Sequence, residues 1–146
     1  MNLSTLATRC LQHNPKKIHL ILPAALMAIL YWLSSIPGEP LPDDPQMYAL
    51  FYWVSPSLQN VLHIPAYASL GVAWRWVLGA WLRGQTWIVA SAFTLSGAYG
   101  VIDEWHQSFV PHRYASATDV ALDLLGSALG LYLFQWALQR TRVVQD

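Results

Sequence analysis

The sequence predicts an all-α fold, a polytopic membrane four-helix bundle with both termini cytoplasmic. Three observations predict it. Four stretches are apolar and, at roughly 20 residues or more each, long enough to cross a hydrocarbon core about 30 Å thick. Prolines or a glycine mark the connections between them. Lysines and arginines gather on one side of the resulting topology. Composition agrees: the 146 residues are 55% hydrophobic and 11% charged, with a mean hydropathy of +0.32, too apolar for a soluble domain of this size.

The first span is expected over about Lys17–Ser35, where Pro37 stops it, and Pro40, Pro42, Pro45 and Pro56 keep the first connection irregular. The second is expected over Leu58–Leu82, with Gly84 in the turn that follows. The third runs over Thr86–Val110 and ends at Pro111, and the fourth covers Thr118–Gln139. This divides the chain into a cytoplasmic segment at 1–16, a transmembrane domain at 17–139 and a cytoplasmic tail at 140–146. Arg9, Lys16 and Lys17 precede the first span, Arg83 lies between the second and third, and Arg140 and Arg142 follow the fourth. The first connection carries Glu39, Asp43 and Asp44 and no Lys or Arg, so it faces outward. Arg113 is the one basic residue on that outer side, and Arg75 is expected to snorkel toward the inner interface. Trp81, Trp87 and Trp136 mark an inner aromatic belt, and Trp32, Tyr52, Trp53 and Trp105 an outer one. The Lys16-Lys17 pair and the apolar run after it resemble a signal peptide. No small-x-small cleavage site precedes Pro37, which favours an uncleaved helix.

Function concentrates in Asp103, Glu104, His106 and Gln107 at the end of the third span, Arg113 just beyond it, and Asp119 and Asp123 at the start of the fourth. Ionisable residues at membrane depth are costly unless they pair or meet water, which makes such a cluster a site by default. At about 100° per residue, Asp103 and Gln107 share a helix face, with Glu104 and His106 to either side. Asp119 and Asp123, at i and i+4, stack on one face of the next helix. Gly126-x-x-x-Gly130 continues that face inward as a close-packing surface, as Gly97 and Gly100 do for the third helix. Asn60 and His63 enter the same outer layer from the second helix.

Each residue also has a plain structural role open to it. Asp103 and Glu104 can be hydrated acids at a helix end, although there they oppose the macrodipole. Asp119 can be a cap or first-turn acid. His63, His106 and His112 can be interfacial hydrogen-bonders, and Arg113 can touch lipid phosphate. A planar guanidinium beside carboxylates is, on the other side, the usual device for recognising phosphate or carboxylate.

Several classes are excluded or weakened. Formal net charge is zero, which leaves no basic excess for nucleic acid. The single Cys10 excludes an internal disulfide and a thiolate metal cage. There is no His-Glu-x-x-His, no Gly-x-Ser-x-Gly elbow and no P-loop. Asp119-x-x-x-Asp123 matches only half of the CDP-alcohol phosphotransferase signature. Asp103-x-x-His106 has the spacing by which one helix can give a metal two ligands.

Asp103-Glu104-x-x-Gln107-x-Phe109-x-Pro111-x-Arg113, followed by Asp119-Val120 and Gly126-x-x-x-Gly130, resembles the VanZ-like family of small bacterial membrane proteins. Leu33-Ser34-Ser35-x-Pro37 and His63 with Tyr67 and Gly71 support the resemblance, which covers about residues 18 to 135. The chain departs from the family pattern at Asn60, often Lys, at His112, often Gly, and at Asp123, often Asn, so its site is the more acidic. The family takes its name from a member associated with low-level teicoplanin resistance. The resemblance implies an envelope-associated protein of the bacterial cytoplasmic (inner) membrane, carries a link to glycopeptide (teicoplanin) resistance as an expectation, and implies no particular reaction.

The function expected from these residues is an outward-facing pocket for the headgroup of an anionic lipid or a lipid-linked envelope precursor. Arg113, His63 and Gln107 would contact it, with Asp119 and Asp123 also among the binding residues, and Asp103, Glu104 and Asp119 would bind a cation, a divalent one being the candidate, or shuttle protons. Two alternatives stand beside this. One is a metal-assisted hydrolase or transferase acting on a lipid-linked phosphate, with Asp103, Glu104 and His106 as ligands or acid–base groups. The other is a structural module of an envelope complex, its polar layer fixing helix register.

Overall fold

The computed structural model describes residues 17–53 and 56–143, and among these every regular element is a helix. Helix α1 is Ile21–Ser34, led by a 3-10 turn over Lys17–Leu20; α2 is Pro56–Leu78, α3 is Gln85–Gln107 and α4 is Ala117–Val143. The connection between α1 and α2 holds a 3-10 turn at Gln46–Tyr48 and a single helical turn at Ala49–Tyr52. The expected segment 1–16, with Arg9, Cys10 and Lys16, and the last three residues of the tail lie outside the described residues.

Local chemistry explains where the helices begin and end. Pro23 is tolerated in α1 because the first-turn N–H groups have no intrahelical acceptor. The end of α1 is fixed by Ser34 and Ser35, whose hydroxyls both donate to the Tyr31 carbonyl at 3.0 and 2.6 Å. Helix α2 begins at a proline, a residue pre-organised for the first helical position, and continues through Pro65. Both α2 and α3 stop short of the ends expected from hydropathy. After Leu78 the chain turns through Gly79 to Leu82, with the Trp81 and Leu82 amides donating to the Leu78 carbonyl at 3.0 and 2.9 Å. After Gln107, a tight turn takes the Val110 amide to the Gln107 carbonyl at 3.0 Å. Apolar character persists across both turns, so composition alone does not mark them.

Helix α4 lies chiefly against α2, both pack on α3, and α1 docks more lightly on α2 and α3. Glycines set the closest contacts. A Cβ on Gly126 would stand 2.4 Å from the Ile64 carbonyl oxygen, and one on Gly130 the same distance from that of Ala68 and 2.7 Å from its Cα. The partner of Gly126-x-x-x-Gly130 is thus the backbone of α2. Gly97 and Gly100 instead receive Leu124 and Asp123 of α4.

Polarity is distributed from inside to outside. The interior face of α3 carries Ser96, Asp103, Glu104 and Gln107, and that of α4 carries Asp119, Asp123 and Ser127. Their outward faces carry Val101, Ile102 and Trp105, and Leu125, Leu129 and Leu133, all largely exposed. Arg75 of α2 is buried among side chains of α3 and α4. It is 5% exposed, its guanidinium donating to the side-chain carbonyls of Gln85 and Gln135 and lying over the Phe134 ring. Among the described residues, Ala117–Arg140 is the one helical stretch both long and apolar enough by composition to cross a membrane, and α1 is a shorter apolar helix.

Because backbone cannot yield as a side chain can, Gly130→Ala must push α4 away from α2. We expect a loss of about 1–3 kcal/mol, read as a lower thermal unfolding midpoint in detergent, with Ala98→Leu on the exposed side of α3 nearly neutral.

Candidate functional site

Four carboxylates from two helices meet in one buried layer. Asp103 and Glu104 on α3 are 4% and 3% exposed, and Asp119 and Asp123 on α4 are 8% and 0% exposed. Helix α2 brings His63 and Tyr67 to the same level. His63 Nδ1 lies 2.8 Å from Asp123 Oδ1, and its ring stacks parallel to that of Tyr67. The Tyr67 hydroxyl approaches Asp103 Oδ2 at 3.5 Å, the long limit of a hydrogen bond.

Gln107 joins the acids to the one nearby guanidinium. Its amide nitrogen donates to Asp103 Oδ2 at 3.3 Å and to Glu104 Oε1 at 3.2 Å, and its carbonyl oxygen accepts from Arg113 Nη1 at 3.2 Å. Arg113 Nε donates to the Ile36 carbonyl at 2.9 Å, tying the α3–α4 connection to the end of α1. Its other N–H groups have no protein acceptor among the described residues. Burial lowers the affinity of this guanidinium for its proton, and the charges of Asp103, Glu104 and Asp119 oppose that effect.

The loop that carries Arg113 is built by close backbone contact. The Gly38 amide donates to the Pro111 carbonyl at 3.0 Å, and a Cβ on Gly38 would overlap the His112 carbonyl oxygen. His112 adopts φ +58°, the left-handed region that favours glycine. Ser116 then starts α4: its hydroxyl accepts from the Thr118 and Asp119 amides at 3.1 and 3.4 Å, while its own amide donates to Glu104 Oε2 at 2.8 Å. Asp119 is therefore a first-turn acid and not the cap. Ser116-x-x-Asp119 is itself a capping pattern, and that signal identifies Ser116.

A cavity of about 260 Å³ opens beside this layer between α1, α2, α3 and the first connection. Leu30, Leu33, Phe51 and Leu62 are among its apolar walls, and His63, Tyr67, Asp103, Gln107 and Arg113 form its polar end. Glu104, Asp119 and Asp123 lie outside this lining. Tyr52 closes one side, held by a hydrogen bond from its hydroxyl to Asp44 Oδ2. Burial and that bond push the Tyr52 phenol up to about 12.

The structure thus gathers His63, Asp103, Glu104, Gln107, Arg113, Asp119 and Asp123. His106 is turned toward α1, its ring 4.4 Å from that of Tyr31 and its Nδ1 3.4 Å from Ser34 Oγ. His112 faces Glu39 at 3.6 Å on the exterior. Asp103 and His106 do not meet as a ligand pair. The residues placed to hold a metal come from three helices instead: one ligand atom each from His63, Glu104 and Asp123 lies within 4.8 Å of the others.

A helical protein with a buried layer of acids, imidazole and guanidinium beside an amphipathic cavity is the class these observations define. A family model described as VanZ/LLP1 matches residues 7–138, most of the chain, and the protein belongs to that family. No curated protein and no solved structure matches it.

The left-handed backbone at His112 gives a test of the Arg113 loop. His112→Gly should unfold no earlier than wild type, while the β-branched His112→Val should be about 1–2 kcal/mol less stable than His112→Gly. Equal stability of the two variants by thermal unfolding would exclude this loop geometry.

Proposed function

We propose that this VanZ/LLP1-family protein is a multi-pass protein of the bacterial cytoplasmic membrane whose outer end binds an anionic headgroup, that of a membrane lipid or a lipid-linked envelope precursor. The membrane reading rests on the inverted polarity of α3 and α4. Large aliphatic and aromatic side chains stand outside, and acids, amides and serines stand inside, the opposite of a helix facing water. Mean hydropathy understates α2 and α3 as spans, because Tyr67 and Arg75 of α2 and Ser96, Asp103, Glu104 and Gln107 of α3 fall on the protein-facing side. At 23 residues each, they are about 34 Å long at 1.5 Å per residue, enough for the hydrocarbon core. In this reading residues 1–16 and 140–146 are cytoplasmic, 17–139 form the membrane domain, and the connection before α2 faces outward.

One observation carries the headgroup reading: the cavity has apolar walls and a polar end that presents Arg113, Gln107 and His63. An amphipathic ligand fits such a cavity, acyl chain along the leucines and headgroup at the guanidinium. Arg113 retains unengaged donors and is anchored on Ile36 and Gln107, so little side-chain entropy is lost when it takes a phosphate. Three of the four carboxylates lie behind the lining, which reduces their repulsion of an anion. The His63–Asp123 pair favours a second reading, in which an imidazole oriented by a buried carboxylate accepts a proton from water or a hydroxyl at the cavity wall. That is the acid–base half of a hydrolase or transferase acting on a lipid-linked phosphate.

Titration of short-chain phosphatidylglycerol onto protein in neutral-lipid nanodiscs tests the main reading. Arg113→Ala should weaken binding by about 10- to 100-fold, the equivalent of one charged hydrogen-bonded contact. Equal binding by a folded variant would remove the headgroup pocket. On intact cells, Asp43→Cys should react with a membrane-impermeant thiol reagent while the native Cys10 does not; the reverse labelling would overturn the orientation.

A further inference from the structure

We infer that His63, Glu104 and Asp123, with Asp119 beside them, form a binding site for one divalent transition-metal ion buried between α2, α3 and α4. The site stands whether or not the neighbouring cavity takes a headgroup. Three helices each supply a donor, and the donor atoms lie within 4.8 Å of one another; a single ion bonded at about 2 Å to each needs them within about 4 Å, so ligation draws the side chains together by at most about 1 Å.

Unsatisfied atoms point the same way. Asp123 Oδ2 and Asp119 Oδ1 are buried with no hydrogen-bond partner among the described residues. Buried carboxylate oxygens are rarely left so, because desolvation costs several kcal/mol in the absence of a compensating partner. Gly100 makes the room: a Cβ there would stand 2.7 Å from Asp123 Oδ2. Charge completes the case. Four buried carboxylates share their layer with Arg113 and the His63 imidazole, and Arg113 is engaged by Gln107 and Ile36 on the cavity side. With His63 neutral, as a metal ligand must be, the four carboxylates face one guanidinium, and a divalent ion offsets most of the excess negative charge.

The donor set selects the ion. Imidazole nitrogen with two or three carboxylate oxygens and no thiolate suits Zn²⁺ or Mn²⁺. Ca²⁺ requires six to eight oxygens and disfavours the imidazole. His63 is 15% exposed and lines the cavity, which gives the ion an entrance.

Tag-free, full-length protein in nanodiscs, stripped with chelator and incubated with Zn²⁺ or Mn²⁺, should retain about one ion per chain by elemental analysis after gel filtration. Glu104→Gln and Asp123→Asn should each weaken affinity by about 100-fold or more in a competition titration, since even losing a supporting partner costs 10- to 100-fold. Asp43→Asn, in the exposed first connection, should bind as wild type does. Wild-type Mn²⁺ samples need no variant to fold, and their electron paramagnetic resonance should show nitrogen coupling from His63. Absence of a stoichiometric ion for both metals, unchanged affinity in both site variants, or bound Mn²⁺ without nitrogen coupling would each overturn the assignment.

Discussion

The contact on which the rest depends is the one between the backbones of α4 and α2. Gly126 and Gly130 place no atom between the helices, so α4 settles against the carbonyls of Ile64 and Ala68. Such contacts exchange side-chain bulk for a long seam of close van der Waals packing. The seam also fixes register. His63 is the residue before Ile64, and Asp123 lies three before Gly126, so the spacing that seats the glycines brings imidazole and carboxylate to 2.8 Å. A small slip of one helix along the other would break that pair and leave a fully buried carboxylate alone.

On the opposite side of α4, the same economy of volume operates at α3. Gly97 and Gly100 accept Leu124 and Asp123, which draws Glu104 into the layer one turn above. Around this centre the polar groups form a linked set: Ser116 holds Glu104, Gln107 spans Glu104 and Asp103, and Arg113 joins Gln107 to the end of α1. A polar interior of this kind is costly to bury and easily spoiled by a missing partner. Its geometry is held by the glycine seams and by the loop contact of Gly38 with Pro111 and His112. Positioning of the guanidinium therefore depends in part on Gly38 and Pro111, residues with no functional group of their own.

Much of this was legible in the sequence, for definite reasons. Apolar runs and prolines located the four helices, because each proline removes an amide and restricts the residue before it. The i, i+4 spacing of Asp119 and Asp123 and of Asp103 and Gln107 showed which side chains share a face, and all four are buried inside. Helix ends were not legible at Leu78 and Gln107, where the chain turns without losing hydrophobicity. His106 sits to one side of the Asp103–Gln107 face, and only the position of Tyr31 on α1 decides that it turns away. Nor does Gly126-x-x-x-Gly130 name its partner. Close approach is written in the motif, but the choice of α2 over α3 follows from packing of the whole bundle. Glycine preference at position 112 had its cause in a backbone angle that no pattern of side chains reveals.

The most direct test is a double-mutant cycle between α2 and α4. His63→Ala, Asp123→Asn and the combination of the two, compared by reversible unfolding in mixed micelles, isolate the energy that the pair shares. If the helices meet in this register, the double variant should depart from the sum of the single ones by about 1 kcal/mol or more. Simple additivity would mean that the two side chains do not touch, and would contradict the register on which the buried layer depends.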